Sequence, residues 1–173
     1  MDLINVEIKA KCPNPESVRT ALRSRNARFA GMDHQVDTYF RVPQGRLKLR
    51  QGNIENNLIA YRRPEQSGPK TSDVALAPVT NGDEIRAVLE RSLGVLVAVD
   101  KQREIYYIEN VKFHIDQVQG LGSFVEIEAC GKPEDDRNPL LAQCREYMQW
   151  FGIREEDLIE SSYSDLLLER RIP

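Results

Sequence analysis

The sequence predicts a mainly β, α+β fold: a closed eight-stranded antiparallel β-barrel with helices packed outside it. The first observation is a series of about eight short segments whose apolar and polar residues alternate with the period of two that is typical of strands. The second is that the polar faces of several segments mix carboxylates with lysine or arginine. The third is that the connections are short, which favours antiparallel neighbours, and an even number of such strands can close into a barrel.

The alternation is clearest near the N-terminus. Val6, Ile8 and Ala10 lie on one face of an extended strand. The opposite face carries Asn5, Glu7, Lys9 and Lys11. An ordinary half-buried strand would show the same pattern, but four later segments also have a charged face of fixed parity, which favours a common role for these faces.

The remaining elements follow from the same pattern and from turn residues. Strands are predicted at residues 3–11, 35–42, 46–50, 58–63, 70–76, 95–109, 111–118 and 123–130. Helices are predicted at residues 15–27, 81–93, 139–151 and 163–170. Asn14 is expected to cap the first helix with Pro15 at its first position, and Gly94 is expected to end the second.

The direction of the charged faces is decided by the helices. If the apolar faces filled the barrel, the amphipathic helices would have little apolar surface to pack on. If the apolar faces point outward, the helices cover them and the charges line the bore. We therefore expect the charges inside, where they need pairing, a metal or a ligand.

Composition limits the class of protein. A chain of 173 residues with 40% hydrophobic and 29% charged residues predicts one soluble domain over residues 1–173. A net charge of −3 argues against a general nucleic-acid binder. Three cysteines without a CxxC pair indicate reduced thiols and a cytoplasmic location. We find no signal peptide and no segment of membrane-span length, and we expect no membrane partner.

The charges of the bore predict a ligand class. Hard oxygen ligands that suit Mg²⁺ or Mn²⁺ would come from Glu7, Asp116, Glu126 and Glu128. A cationic lining would come from Lys9, Lys11, Lys48, Arg50, Arg62 or Arg63, Lys101, Arg103 and Lys112. Carboxylates beside many cations fit a metal-bound polyphosphate.

With these residues assembled, the chain resembles the CYTH superfamily, the triphosphate tunnel metalloenzymes, and within it most closely the class IV adenylyl cyclases. The N-terminal ExExK signature appears as Asn5-Val6-Glu7-Ile8-Lys9. Residues 37–40 and 48–50 are similar to the second and third strands of the family, and residues 101–107, 113–116 and 120–128 to the cyclase pattern. Residues 144–146, 151–152 and 162–167 complete the resemblance, which spans nearly the whole chain.

The resemblance implies an eight-stranded tunnel that binds a nucleoside triphosphate or inorganic polyphosphate through a divalent metal. It implies metal ligation by Glu7, Glu126 and Glu128. It implies phosphate binding by Lys9, Lys48, Arg50, Lys101, Arg103 and Lys112. Lys9 is alternatively the group that positions or activates a nucleophile. We take Glu7 and Lys9 as the catalytic pair.

Two positions depart from the family pattern. Asn5 stands where the family has its first glutamate, which removes one negative charge and predicts weaker metal binding or a changed metal number. On the fourth strand, Arg62 best matches the family's lysine, although Arg63 is equally basic. His114 is interpreted as a buried histidine hydrogen-bonded to Asp116 rather than as a catalytic base.

Three functions remain open at this point. The first is a class IV-type cyclase that converts ATP to cyclic AMP and pyrophosphate. The second is a nucleoside, thiamine or inorganic triphosphatase of the same fold. The third is a non-catalytic polyphosphate- or nucleotide-binding module. A homodimer is compatible with each of them.

Overall fold

The computed structural model describes residues 2–62 and 70–170. Within these ranges the strands are β1 (Asp2–Lys11), β2 (Arg28–Phe40), β3 (Arg46–Gln51), β4 (Asn57–Arg62), β5 (Lys70–Pro78), β6 (Val95–Ile108), β7 (Val111–Val118) and β8 (Gly122–Gly131). The α-helices are α1 (Pro15–Ser24), α2 (Gly82–Leu93), α3 (Arg137–Trp150) and α4 (Tyr163–Glu169). A short 3₁₀ turn, Glu155–Asp157, precedes α4.

The strands form a closed antiparallel barrel, which confirms the predicted fold class. Their order around the barrel is β1-β5-β4-β3-β2-β6-β7-β8. The first strand closes the ring by pairing with β5 on one side and with β8 on the other. A closed barrel has no free edge, so every strand has a hydrogen-bonded neighbour on both sides.

The largest difference from the sequence prediction is the length of β2. It begins at Arg28 rather than Gln35 because it pairs with β6 along almost its whole length, from Arg28 opposite Tyr107 to Phe40 opposite Val95. The sequence hides this extension, because residues 28–34 mix Gly, Met, Asp and His without regular alternation.

The expected helix ends are largely present. Asn14 caps α1, and its side-chain oxygen accepts a hydrogen bond from the Ser17 backbone N–H at 3.3 Å. α1 ends at Ser24 rather than Ala27, with Asn26 at a positive φ of 53° that leaves the helical region. Gly94 ends α2 with a φ of 73°, a conformation that glycine adopts without steric penalty.

The apolar faces of the strands point outward and are covered by helices. Val6 and Ile8 of β1 and Ile127 of β8 belong to one buried cluster with Leu22 of α1 and Cys144 of α3. Full burial of a leucine-sized side chain contributes about 1.5–3 kcal/mol. The arrangement with the charges inside the barrel, which the sequence analysis favoured, is therefore confirmed on this side of the molecule.

A second apolar cluster lies where β2 ends and β6 begins. Val97 and Val99 of β6 pack there with Phe124 of β8 and with Tyr163, and Leu167 of α4 packs against them. The short helix α4 thereby covers one end of the barrel. Among the described residues, no helix has both the length and the apolar character needed to cross a membrane.

Candidate active site

The barrel encloses a cavity of about 470 Å³ to which all eight strands contribute side chains. This volume lies in the range of small-molecule sites. Among the described residues, six cationic side chains line it: Lys9, Lys48, Arg50, Lys101, Arg103 and Lys112. Five acidic side chains also line it: Glu7, Asp37, Glu55, Glu126 and Glu128. The cavity thus brings together most of the site residues that the sequence analysis selected.

The charge is unevenly distributed around the bore. The charged residues come from β1, β2, β3, β6, β7 and β8 and from the loop before β4. β4 and β5 instead contribute Ile59, Tyr61, Val74 and Leu76, together with two small polar residues, Asn57 and Ser72. We call the first set the charged wall and the β4–β5 set the apolar wall.

Asp37 of β2 lies at the centre of the cationic group. Both of its oxygens accept hydrogen bonds from Arg50, each at 2.9 Å, and Oδ2 also contacts the Nζ atoms of Lys48 and Lys101, each at 3.0 Å. Burial alone would raise the pKa of Asp37, but Arg50, Lys101 and Lys48 outweigh it and hold the pKa well below its ordinary value. Asp37 therefore holds three phosphate-binding candidates in one place.

Lys101 is the most perturbed cation of this group. Its side chain is 1% exposed, and burial lowers its pKa to about 7 against the opposing effect of Asp37. Arg103, Arg50 and Lys48 add to the lowering because like charges disfavour a further proton. Lys101 therefore changes charge near neutral pH.

Glu126 joins Lys9 to Arg103. Its Oε1 lies 3.2 Å from Lys9 Nζ, and its Oε2 accepts from Arg103 Nη2 at 2.7 Å. Burial opposes ionisation of Glu126, yet Arg103 and Lys9 hold its pKa well below the ordinary range. Lys9 Nζ also lies 4.2 Å from the ring centroid of Tyr163, a cation–π contact. Glu126 is thus a partner of cations, which leaves it less available to a metal.

Asp116 differs from the expected metal ligand. Both of its oxygens accept hydrogen bonds from Arg103, at 2.7 and 2.6 Å, and Oδ2 also accepts from the hydroxyl of Tyr163 at 2.7 Å. Its side chain is fully buried behind Arg103 and does not line the cavity. The structure therefore gives Asp116 the position of a residue that orients Arg103.

Glu7 and Glu128 form an acidic corner. They are direct cross-strand neighbours on β1 and β8, an arrangement in which like charges repel unless a cation lies nearby. Asn5 Nδ2 donates to Glu128 Oε1 at 2.6 Å. Asn5 Oδ1 is buried and has no hydrogen-bond partner in the described part of the chain. Carboxylate and carboxamide oxygens of this kind fit a hard divalent cation.

The acidic corner is incomplete as a metal site on its own. Residues 2–62 and 70–170 contain no group of three or more His, Cys, Asp or Glu that could hold a metal ion. Mg²⁺ commonly takes one or two carboxylates from a protein and completes its coordination with substrate phosphates and water. Glu7 and Glu128, with Asn5 Oδ1 beside them, fit a metal that is shared with a polyphosphate.

Two predicted phosphate-binding residues lie outside the cavity. Lys11 is exposed at the end of β1 and does not line the bore. Arg62 is exposed on the outer face of β4 and donates to Gln44, because Ile59 and Tyr61 take the inward parity. Placing Arg62 in the bore was therefore wrong. Arg63, its alternative, lies outside the described residues.

His114 is buried as expected but has a different partner. Its Nδ1 lies 3.2 Å from Glu126 Oε2, rather than bonding to Asp116, because Arg103 and Tyr163 already occupy that carboxylate. Its Nε2 has no hydrogen-bond partner among residues 2–62 and 70–170. His114 therefore supports the orientation of Glu126 from behind the cavity.

Sequence reasoning gave no role to three residues that the structure brings into the site. Asp37 lies inside one of the segments that carry the family resemblance. An aspartate at that position does not by itself indicate that it pairs with three cations. Glu55 lies in a loop, where periodicity carries no information. Tyr163 is the first residue of α4 and enters the bore from the covered end. Alternation in β2 was the one signal that could have placed Asp37 inward.

The chain is similar to known proteins in sequence and in fold. The CYTH domain family matches residues 3–163. The chain is 26% identical over 174 residues to a Methanocaldococcus jannaschii protein named "Putative adenylate cyclase", covering 95% of this chain and 98% of that one. The solved structure of the PH1012 protein of Pyrococcus horikoshii has a TM-score of 0.83 at 22% identity, over 94% of this chain and 98% of that one.

A further solved structure has the same fold. HpAC1 of Hippeastrum, described as revealing a dominant triphosphatase activity, has a TM-score of 0.64 at 15% identity and covers 97% of this chain and 95% of its own. At these identities the two solved structures share the fold with this chain.

Proposed function

The chain belongs to the CYTH domain family, and we propose from this premise that it is a divalent-metal-dependent adenylyl cyclase that converts ATP to cyclic AMP and pyrophosphate. One observation supports the proposal most. A single cavity of about 470 Å³ combines six cationic side chains, counted over the described residues, with the acidic corner of Glu7 and Glu128. Few ligands other than a metal-bound polyphosphate suit both.

The cations would bind and orient the phosphate chain. Each has a carboxylate partner that fixes its direction. Asp37 holds Lys48, Arg50 and Lys101, Glu126 holds Lys9 and Arg103, and Glu55 holds Lys112. Pre-oriented charges lose little entropy when the substrate arrives, and they stabilise charge that develops in the transition state. Catalysis of phosphoryl-type chemistry relies mainly on these two effects.

In the proposed reaction the 3′-hydroxyl of ATP attacks the α-phosphorus in line. The bond from the α-phosphorus to the bridging oxygen breaks, pyrophosphate leaves, and the hydroxyl proton passes to solvent. Lys9 and Arg103 would stabilise the departing charge, and Glu7 would lie beside the reacting end of the chain. Mg²⁺ or Mn²⁺ bound by Glu7, Glu128 and Asn5 would neutralise charge on the phosphate oxygens.

The apolar wall favours a substrate with an organic group. Ile59, Val74 and Leu76 offer apolar contacts and no side-chain hydrogen-bond donor. A purely inorganic chain would therefore gain no binding contact from these three residues. A nucleoside could pack its ring there while its phosphates reach the charged wall. This supports ATP over inorganic tripolyphosphate as the preferred substrate.

A triphosphatase is the second candidate, favoured by the description of HpAC1. The same lining would serve water that attacks the terminal phosphorus. The two reactions differ in the nucleophile, which is the 3′-hydroxyl or water, and in which phosphorus lies next to it.

Product analysis tests the proposal. The protein is incubated with ATP and Mg²⁺ or Mn²⁺, and in parallel with tripolyphosphate. Cyclic AMP with stoichiometric pyrophosphate would support the cyclase, and orthophosphate release would replace it with the triphosphatase. Binding of both ligands without turnover would leave a non-catalytic polyphosphate-binding module and contradict an enzyme.

The remaining expectations concern the setting of the protein. We propose a cytoplasmic location, no nucleic-acid partner and a possible homodimeric state. Light scattering at micromolar concentration would measure the oligomeric state directly.

A further inference from the structure

Glu55 reaches into the cavity from the loop between β3 and β4 rather than from a strand. Its Oε1 accepts a hydrogen bond from Lys112 Nζ at 3.0 Å. Its Oε2 accepts from Arg50 Nη1 at 3.0 Å and from Gln35 Nε2 at 3.2 Å. The side chain is 13% exposed, so these contacts are largely protected from water.

The two cations that Glu55 joins lie on strands that are not neighbours. Arg50 is on β3 and Lys112 is on β7, and both β2 and β6 stand between them in the barrel. The carboxylate therefore spans part of the bore. Burial would raise the pKa of Glu55, but Arg50 and Lys112 outweigh it and keep the pKa below its usual value, so the group is an anion at neutral pH.

The backbone that carries Glu55 is firmly held. Asp33, which is fully buried, accepts hydrogen bonds from the backbone N–H of Ile54 at 2.9 Å and of Glu55 at 3.0 Å. The Asn56 side chain binds both the N–H and the C=O of Gly52. With the loop fixed at both ends, rotation of the Glu55 side chain is the simplest way to vacate its position.

We propose that Glu55 is an internal competitor whose carboxylate occupies the place of a substrate phosphate between Arg50 and Lys112, and that it rotates away when the triphosphate binds. The inference rests on the proposed function, because it assumes a triphosphate in this cavity. In the free protein, Glu55 lies between two phosphate-binding cations and neutralises part of their charge. In exchange it weakens the affinity for any polyphosphate, since the incoming anion must replace an existing ion pair.

Glu55→Gln tests the proposal, because glutamine keeps the shape and the acceptor oxygen but removes the charge. Binding of a non-hydrolysable methylene-bridged ATP analogue with Mg²⁺ is measured by calorimetry. We expect a Kd lower than wild type by roughly three- to tenfold, equivalent to the loss of one modest ion pair. Glu90→Gln removes the same charge on α2, outside the cavity, and should leave the Kd unchanged.

A Kd that is unchanged or higher in Glu55→Gln would overturn the inference, because Glu55 would then organise the cations rather than compete for them. If neither wild type nor Glu90→Gln binds the analogue, the proposed function fails and the inference fails with it. Binding by both without a gain in Glu55→Gln removes the inference alone.

A double variant locates the competition. In a Lys112→Met background, Glu55 has lost one of the two cations, so Glu55→Gln should give a smaller gain than in wild type. An undiminished gain would mean that Glu55 acts only through the overall charge of the cavity, which contradicts the proposal. If Glu55→Gln does not fold, Glu55→Asp provides the same test, because a shortened carboxylate cannot bridge both cations and should also lower the Kd.

Discussion

The charged wall and the apolar wall line one cavity with opposite chemistry, although both are built from antiparallel strands of the same barrel. On β1 and β8 the inward positions include the charged residues Glu7, Lys9, Glu126 and Glu128, and the outward positions are apolar and covered by α1 and α3. On β4 and β5 the inward positions include Ile59, Tyr61, Val74 and Leu76. Outward, β4 shows exposed residues such as Ala60 and Arg62.

The difference shows what decides the direction of a strand's faces. Where helices cover the outside, apolar residues go outward. The inward cations are tolerated because each forms an ion pair with Asp37, Glu55, Asp116 or Glu126. Where no described helix covers the outside, apolar residues find their burial in the bore instead. The result is a cavity with one side suited to a phosphate chain and one side suited to an organic group.

The sharpest test of the charged wall is Glu128→Ala. Removal of this carboxylate from the acidic corner should lower metal-dependent kcat/KM by roughly 100-fold or more, because the proposed function makes Glu128 a metal ligand. The rate is measured across a Mg²⁺ and Mn²⁺ titration. Glu90→Ala, which removes a partly exposed carboxylate of α2 outside the cavity, is the control. A near-wild-type rate in Glu128→Ala would remove the metal assignment.

The cationic side of the same wall is tested by Lys48→Met. We expect KM to rise by roughly 10- to 100-fold for ATP and a comparable loss of tripolyphosphate affinity, because a phosphate-binding charge is removed from a poorly solvated site. Arg62→Met removes a cation from the outer face of the neighbouring strand and should change neither by more than about twofold. Equal losses in the two variants would contradict the inward and outward assignments.

Asn5→Glu tests how far the acidic corner limits the metal. An added carboxylate beside Glu128 should lower the Mg²⁺ or Mn²⁺ concentration at half-maximal activity by roughly tenfold. Asn57→Glu places the same charge in the cavity but on β4, away from the corner, and should give no such tightening. An unchanged metal dependence in Asn5→Glu would show that the position has little influence.

The apolar wall is tested by Leu76→Ala. Loss of apolar contact should raise KM for ATP by roughly three- to tenfold, the effect of a few buried methyl groups. The affinity for tripolyphosphate, measured by calorimetry, should stay within about twofold of wild type because the inorganic chain has no group to pack there. A parallel loss for both ligands would mean that the two walls do not divide the substrate between them.

The smallest effect is expected from the pH dependence of Lys101. Its pKa of about 7 in the free protein should rise when an anion binds, so binding takes up a proton above pH 7 and weakens as the pH increases. Methionine cannot titrate in Lys101→Met. Between pH 6.5 and 8.5, the loss of triphosphate affinity should therefore be roughly threefold smaller in Lys101→Met than in wild type. An identical slope in both proteins would show that Lys101 does not titrate in this range.

The sequence predicted the barrel and the charged wall because strict alternation leaves little freedom. A shift of one residue would turn every charge of β1 outward and every apolar residue away from α1 and α3. Glu7, Lys9, Glu126 and Glu128 were therefore placed correctly from parity and from the family resemblance.

The apolar wall could not be predicted in the same way. Residues 58–61 are Leu-Ile-Ala-Tyr, and they contain no charged residue that would mark one face of the strand. The prediction of Arg62 therefore relied on its distance from the following proline and not on the alternation of faces. Pairing is equally invisible in sequence. Asp116 has the residue type of a metal ligand and becomes a partner of Arg103 only because β6 and β7 place the two directly opposite each other.

The closure of the ring between β1 and β8 also has a consequence for folding. Asn5 and Glu128, which are hydrogen-bonded in the acidic corner, lie 123 residues apart in the chain. Contacts between such distant segments are slow to form, because the chain loses loop-closure entropy before the contact contributes any stabilising energy. The acidic corner forms only when β1 and β8 pair, so a chain with an unclosed barrel lacks it. Since the proposed function places the metal at this corner, recovery of metal-dependent activity during refolding should follow ring closure.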